Sequence, residues 1–297
     1  MSAQSLRISD ILMLLLLATL WGSSYLLIKI AVMEIPPLTL ITIRCVIATL
    51  ILGTVLIWQR ISLPRELTIW GKLGVQSLLS CSGAWTILAW GQQYIDSGLA
   101  SVLNSTSPLF VIFFTILITR HEPVSSLKCL GGFLGISGVV LIIGIDAMSG
   151  LGQHVLGQLA VLGGATLYAL AAIYGKQFSK DPAIASATGT LLCASLLLIP
   201  SSLIADQPWT LQAGYKSITS AILLGVFCTG LALVLYFHLI KSIGSLGVAS
   251  QSYLRVGIGV ALGVIFLDEK ISVVVGLGIL LAVVGVMMIN FPLNKRS

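Results

Sequence analysis

The chain alternates between long apolar runs and short polar connections along its whole length. A helix needs about 20 apolar residues to cross the hydrocarbon core of a bilayer. Ten segments approach or reach that length, at about residues 11–31, 37–58, 71–91, 97–119, 129–146, 156–175, 183–204, 218–239, 244–267 and 272–291. Unbroken apolar runs favour helices, which satisfy their own backbone groups, over the alternating short segments of a barrel. The pattern therefore predicts an all-α integral membrane protein with ten transmembrane helices.

The same pattern repeats at a constant offset of 147 residues. The matched positions are Thr19/Thr166, Trp21/Tyr168, Lys29/Lys176, Cys81/Cys228, Gly83/Gly230, Glu122/Glu269, Gly131/Gly278 and Gly138/Gly285. We predict two units, residues 1–147 and 148–297, with five spans each. Because five is an odd number, the second unit must enter the membrane from the side opposite to the first. The sequence thus predicts two inverted five-helix repeats, with a ligand cavity at their interface.

Composition and charge agree with a membrane protein of fixed orientation. The chain is 57% hydrophobic and 9% charged, whereas soluble domains carry about 25% charged residues. If both termini are cytoplasmic, eleven lysines and arginines lie inside and only Lys216 and Lys270 lie outside. The positive-inside rule favours this orientation. No basic patch on a soluble face accompanies the net charge of +6, so the expected surroundings are a lipid bilayer and not a nucleic acid.

Residue patterns for catalysis or metal binding are missing from the sequence. The five cysteines lie in apolar segments without a C-x-x-C pair, and the three histidines are widely separated. No H-E-x-x-H, G-x-S-x-G or P-loop motif occurs. We therefore expect a protein that is not an enzyme and that carries neither cofactor nor metal.

Arg255 is the most informative single side chain, because it falls midway along the ninth predicted span. A charge at the bilayer centre costs about 2.5–3.5 kcal/mol on insertion scales. Its guanidinium either holds the carboxylate of a substrate in a cavity, or binds helix carbonyls or a polar neighbour and only stiffens the bundle. No acidic residue lies at a similar depth in the predicted spans, which favours an anionic or zwitterionic ligand.

Polar patches occur at matching places in the fourth and ninth predicted spans. Asn104 and Ser105 precede Pro108 in the first patch, and the offset of 147 places Gln251 and Ser252 at the corresponding positions of the second, beside Tyr253. Two amides at related depths predict a cavity lined from both halves, with Pro108 loosening its helix. Interhelical hydrogen bonding is the alternative reading of the same residues.

Four charged residues suggest a pair of gates. In the predicted orientation Lys29 and Glu269 lie near the outer face, and Lys176 and Glu122 lie near the inner face. Ion pairs that form and break in turn would suit alternating access, although independent interfacial charges would give the same pattern. No acid lies in mid-membrane, where coupled carriers usually place one. Downhill export is therefore consistent with the sequence, and coupling through a less obvious group is the alternative.

The repeated motifs resemble the EamA family of the drug/metabolite transporter superfamily. The first half contains Leu20-Trp21-Gly22-Ser23, then Lys29, Pro108 and Glu122. The second half contains Phe266-Leu267-Asp268-Glu269, followed by Gly278 and Gly285. The resemblance covers almost the whole chain. One departure is that Arg255 stands where the offset from Pro108 would place a second proline.

The resemblance implies a bacterial inner-membrane exporter of amino acids or other metabolites, similar to the aromatic amino-acid exporter group. Multidrug export and channel-like facilitation are the alternatives. It also implies that the first, third, sixth and eighth spans, with the fourth and ninth, border a central cavity, which would place Trp21, Tyr25, Trp85 and Tyr168 there. Aromatic residues at span ends favour interfacial anchoring instead: Trp58, Trp70, Trp90 and Tyr94. Close-spaced glycines predict tight packing within a monomer or, alternatively, dimerisation.

Overall fold

The fold is helical throughout the part of the chain that our computed structural model describes, residues 7–95, 97–119, 124–143, 154–258 and 273–291. The helices of the first half are α1 (Ile8–Ala31), α2 (Pro37–Trp58), α3 (Leu67–Ser77), α4 (Ala84–Gly91), α5 (Ser97–Asn104), α6 (Ser107–Phe114) and α7 (Ser126–Ile143). Those of the second half are α8 (Val155–Gly175), α9 (Ala183–Ala205), α10 (Tyr215–Gly225), α11 (Ala232–Ala249), α12 (251–258) and α13 (Val273–Asn290).

Six of the described helical segments are long and apolar enough to cross a bilayer. They are Ile8–Ile28, Pro37–Trp58, Val155–Phe178, Ala183–Ala205, Tyr215–Ala249 and Val273–Asn290, and two shorter apolar helices cover Val102–Ile118 and Ser126–Ile142. Large apolar side chains such as Leu50 and Phe133 are exposed on the outside of the bundle, where only lipid would avoid the cost of hydrating them. The structure is that of an integral membrane protein.

Two predicted spans contain a π-helical segment at corresponding positions. Leu78–Ser82 joins α3 to α4, and Val226–Leu231 joins α10 to α11. The repeated Cys-x-Gly sequences at Cys81 and Cys228 lie in or next to these segments. A Cβ at Gly83 would overlap the Leu78 carbonyl oxygen, so the wider turn requires glycine there. Such π-bulges are often retained at functional sites.

Helices α7 and α13 occupy equivalent places in the two halves and pack against each other through glycines. A Cβ at Gly131 would lie 2.8 Å from the Gly285 carbonyl oxygen, and a Cβ at Gly138 would lie 2.5 Å from that of Gly278. Since residue numbers rise along one helix and fall along the other, the pair is antiparallel. The small residues let the backbones approach closely, and in this structure they serve packing within one chain.

Helices α2 and α9, also equivalent, run antiparallel and are joined by polar side chains. Asp206 Oδ2 accepts hydrogen bonds from the Thr39 backbone N–H at 2.7 Å and from Thr39 Oγ1 at 2.8 Å. Farther along, Thr42 Oγ1 donates to the Leu198 carbonyl at 3.2 Å. Interhelical hydrogen bonds in membranes contribute about 0.6 kcal/mol each, so these bonds set the register more than they set the stability.

Glu34 ties the end of α1 to the start of α10 across the two halves. Its carboxylate accepts a hydrogen bond from the Gly214 backbone N–H at 2.8 Å, next to the first residue of α10. The Ser217 hydroxyl and this N–H hold the pKa of Glu34 below its usual value. An acid at a helix N-terminus also suits the helix dipole. The carboxylate therefore stays charged at neutral pH and caps α10.

Gly244 lies inside α11 and kinks it between the eighth and ninth predicted spans, and its conformation admits only glycine. Its φ of 80° and ψ of 179° lie in a region that side chains essentially exclude, at a cost of about 1–3 kcal/mol. We expect Gly244→Ala to lower the Tm of the purified protein for this reason. Gly163→Ala is the matched control, because that helical glycine has no atom within 4 Å of an added Cβ. Equal Tm values for the two variants would contradict the assigned conformation.

Candidate functional site

A small cavity lies in the middle of the bundle and is lined from both halves of the chain. Its aromatic and cationic lining consists of Trp21, Trp85, Tyr168, Arg44 and Arg255. The remaining lining residues are Ser24, Ile28, Leu88, Ala89, Gln92 and Asn104. Its volume is about 30 Å³, enough for roughly one or two water molecules. The helices are thus drawn in around the site, and a ligand would require them to move apart.

Arg255, the cation predicted from the sequence, lies on an aromatic face in this cavity. Its Cζ is 5.2 Å from the centroid of the Trp21 ring, and its Nε donates to Gln251 Oε1 at 2.8 Å. Gln251 is one turn earlier on the same helix, so this bond orients the guanidinium without joining two helices. A Cβ at Gly22 would lie 3.1 Å from the Arg255 carbonyl oxygen, so α1 and α12 touch here.

A second arginine, Arg44 on α2, lies in the same way on a second tryptophan. Its Cζ is 4.3 Å from the centroid of the Trp85 ring. Its Nε donates to Thr229 Oγ1 at 2.8 Å, and its Nη2 is 3.4 Å from the Cys228 carbonyl oxygen. Both acceptors belong to the π-helical segment Val226–Leu231. That segment therefore serves the site by fixing the Arg44 guanidinium.

The two cations are almost completely withdrawn from solvent, Arg44 at 3% and Arg255 at 7% exposure. Buried charges are costly unless they are paired and hydrogen-bonded, and the part of the lining that the structure describes includes no acidic side chain. Stacking on an indole face recovers about 2 kcal/mol when the pair is desolvated. Because this only partly offsets the cost, the cavity has a strong attraction for negative charge.

Residues related by the offset of 147 meet beside the cavity. Ser105 Oγ donates to the Ser252 carbonyl oxygen at 3.3 Å. The Trp21 and Tyr168 rings, which are also related by the offset, have centroids 6.3 Å apart. Equivalent residues of two copies touch only where the copies meet. The cavity therefore lies at the junction of the two halves.

The other predicted site residues fall at different distances from the cavity. Four of them line it: Trp21, Trp85, Asn104 and Tyr168. Gln251 contributes indirectly, by accepting a hydrogen bond from Arg255. Pro108 is buried at the second position of α6, where the missing N–H of a proline is not needed.

Tyr253 turns to α7, where its hydroxyl donates to the Gly132 carbonyl at 3.0 Å and its ring covers Gly135. It packs α12 on α7 and is not among the residues that line the cavity.

Several residues that the sequence predicts to be functional lie outside the described part of the chain. Glu122 and Glu269 lie outside the described residues, as do the side chains of Tyr25 and Lys29. Lys176 is described, in the 3₁₀ turn after α8. The predicted gating pairs therefore stay predictions. At the span ends, Trp58 and Tyr94 are exposed by 83% and 48%, as side chains anchored in an interface would be.

Arg44 was missed as a site residue by sequence reasoning. It lies near the start of α2, a helix that nothing in the sequence analysis placed at the cavity, and no repeated motif includes it. The available signal was its charge: an arginine inside an apolar run has to find a partner or a cavity. Among the described residues, no group of three His, Cys, Asp or Glu side chains is placed to hold a metal.

Comparison with known proteins follows the same division of the chain. A model of the EamA-like transporter family matches twice, over residues 8–144 and 155–291. The second match is displaced by 147 residues from the first at both ends. The chain therefore belongs to the EamA-like transporter family, and it is a membrane transporter of the drug/metabolite transporter superfamily and not an enzyme.

Relatives of similar length support the same assignment. The uncharacterized transporter YoaV of Bacillus subtilis is 27% identical over 94% of this chain and 95% of its own length. The uncharacterized inner membrane transporter YedA of Escherichia coli K12 is 25% identical over 91% of this chain and 87% of its own. One crystal structure superposes with a TM-score of 0.77 at 18% identity, covering 96% of this chain and 98% of the other, so the fold is shared.

Proposed function

We propose that this protein exports amino acids or related small metabolites through its central cavity by alternating access. The observation that carries the proposal is the pair of buried arginines, Arg44 and Arg255, on the wall of one cavity whose described lining residues include no acid. A substrate carboxylate matches the fork of a guanidinium in geometry and charge. Lipophilic cations, which a multidrug exporter would carry, are repelled by the same pair.

We further infer that the architecture consists of ten spans in two inverted five-helix repeats. The antiparallel packing of equivalent helices supports this, for α7 with α13 and for α2 with α9. The contact of Ser105 with Ser252 supports a two-fold axis beside the cavity. Such an axis lets the two halves exchange roles, which is the geometric basis of alternating access.

Orientation and location follow from charge and from the relatives. The excess of lysine and arginine in one set of loops supports cytoplasmic termini. A relative described as an inner membrane transporter of Escherichia coli supports the same membrane here. In this orientation a cavity of about 290 Å³, lined in part by Arg65, Asp181 and Ser186, opens near the cytoplasmic ends of the helices.

A chain of aromatic rings lies between that cytoplasmic cavity and the site. Ring centroids are 5.6 Å apart for Trp21 and Tyr236, 5.5 Å for Tyr236 and Phe237, and 6.0 Å for Phe237 and Phe178. Phe178 lines the cytoplasmic cavity, whereas Trp21 lines the central one. These rings form the inner barrier that a substrate has to displace, and their separation would convert the contracted site into an inward-open one.

Reconstitution tests the proposal directly. Purified protein in sealed liposomes is expected to move a radiolabelled amino acid or organic acid from a panel down its gradient, with saturation at high concentration. Protein-free liposomes and liposomes that carry an unrelated membrane protein are the controls. Non-saturating uptake together with leakage of a trapped dye would favour a channel-like facilitator, and uptake of none of the panel would overturn the proposed function.

A further inference from the structure

We propose that the central cavity selects small dianions, with the guanidinium groups of Arg44 and Arg255 holding the two negative charges. The inference rests on the proposed transport function and narrows its substrate class. Among amino acids and related small metabolites, it favours the doubly charged anions and makes zwitterionic amino acids poor substrates. Dicarboxylates and phosphate monoesters both carry two negative charges. Measuring the uptake of each class separately shows which of the two the protein transports.

The balance of charge in the site carries the argument. Two guanidinium groups line one buried cavity, and among the described residues no carboxylate lines it with them. All ten acidic residues of the chain fall in connections or at the ends of predicted spans. A monoanion would leave one buried cation without a counter-charge, and a zwitterion would leave the net charge unchanged. A dianion neutralises both, and uncompensated buried charge is what a low-dielectric site penalises most.

The two arginines are held in the same manner, which prepares them for a ligand. Each guanidinium is anchored through Nε, Arg44 on Thr229 Oγ1 and Arg255 on Gln251 Oε1. Within the described residues, the Nη atoms of Arg255 have no hydrogen-bond acceptor, and those of Arg44 have only the distant Cys228 carbonyl. A fork fixed at one edge loses little freedom when its other edge binds an oxyanion.

The aromatic lining argues against an ammonium group in the same place. Trp21 and Trp85 each have a guanidinium on a ring face, so those faces already interact with a cation. Trp21 is further covered by Tyr168 and Tyr236. A substrate ammonium would therefore meet two like charges and, among the described lining residues, no carboxylate. Like charges at short range in a buried site are mutually destabilising.

The test compares substrates in the wild-type protein, so it does not depend on a variant that folds. Labelled succinate and glycerol 3-phosphate are the dianionic probes, gluconate is the monoanion, and alanine is the zwitterion, each offered to proteoliposomes at neutral pH. A dianion makes one more charge-assisted contact than gluconate or alanine. We therefore expect uptake of at least one dianion to exceed uptake of both by about tenfold or more. Succinate and glycerol 3-phosphate separate dicarboxylates from phosphate esters.

A single arginine variant then tests whether the preference for dianions arises at this site. Arg44→Gln is expected to lower the ratio of dianion to gluconate uptake by about tenfold, whereas Arg60→Gln, the same change at an exposed arginine beyond α2, should leave the ratio unchanged. Saturable uptake of alanine or gluconate at the dianion rate would overturn the inference and leave the transport function standing. Uptake of none of the four probes, or an unchanged ratio in Arg44→Gln, overturns it as well.

Discussion

Replacement of Arg255 by glutamine is expected to lower carboxylate transport by about 10- to 100-fold, because it removes a charge-assisted contact of about 1.5–3 kcal/mol. The Tm should stay the same or rise. Arg255 makes its one described side-chain hydrogen bond within its own helix, and removal of a buried unpaired charge relieves a desolvation cost. Initial uptake rates in proteoliposomes and a thermal melt of the same preparation measure the two effects together.

The pair of measurements separates a substrate contact from a structural role for Arg255. Arg255→Lys keeps the charge but loses the planar fork, so it should fall between the wild type and Arg255→Gln. Arg60→Gln controls for the loss of a positive charge on an exposed surface. A lowered Tm with a proportionate fall in uptake would assign Arg255 to the stiffness of the bundle, the alternative that the sequence left open. Normal uptake by Arg255→Gln would remove it from the site.

Gly278→Ala is expected to destabilise the protein by about 1–3 kcal/mol through overpacking between α7 and α13. An added Cβ would lie 2.8 Å from the Gly138 carbonyl oxygen and 2.9 Å from the Ile142 backbone nitrogen. Both are backbone atoms and cannot swing away, so the helices would have to separate. Residual folded protein after heating, followed by size-exclusion chromatography, gives the shift in Tm.

Gly276→Ala on the same helix is the matched control. No atom lies within 4 Å of a Cβ at that position, and alanine favours a helix over glycine by about 1 kcal/mol. This variant should therefore be neutral or slightly more stable, although both changes add the same methyl group to the same helix. If the two variants melted alike, helix propensity and not the α7–α13 contact would control the Tm.

Several residues that line the cavity could be singled out from the sequence alone. Trp21, Trp85, Asn104, Tyr168 and Arg255 were all singled out, and the structure places them around one cavity. Their part in substrate binding stays a prediction, but the sequence makes them stand out because the signals are local: a charge, an amide or an aromatic ring inside an apolar run is costly or unusual wherever the helix packs. The repeat then related residues of one half to those of the other.

The direction in which a side chain points, and whether it reaches the cavity, were harder to predict than which residue types matter. Tyr253 lies two residues from Arg255, yet it packs against α7 at Gly132 and Gly135. Side chains at adjacent helical positions point in different directions, and only packing decides which direction is the cavity. The π-helical segment Val226–Leu231 widens the helix between α10 and α11 and so changes where the following side chains point. A repeated Cys-x-Gly sequence lies at both wider turns, but hydropathy does not distinguish them from ordinary helix.

By itself the sequence determined the class of the protein, its repeat and the presence of a cation within the membrane, because hydropathy, internal similarity and the cost of buried charge are properties of segments. Only the tertiary structure decided that Arg44 joins Arg255 at one cavity, with each guanidinium on its own tryptophan. These partners come from α1, α2, α4 and α12. They come together only through the packing of helices that are distant in sequence. Contacts of this kind do not produce a repeating pattern of residue types that could be recognised in the sequence.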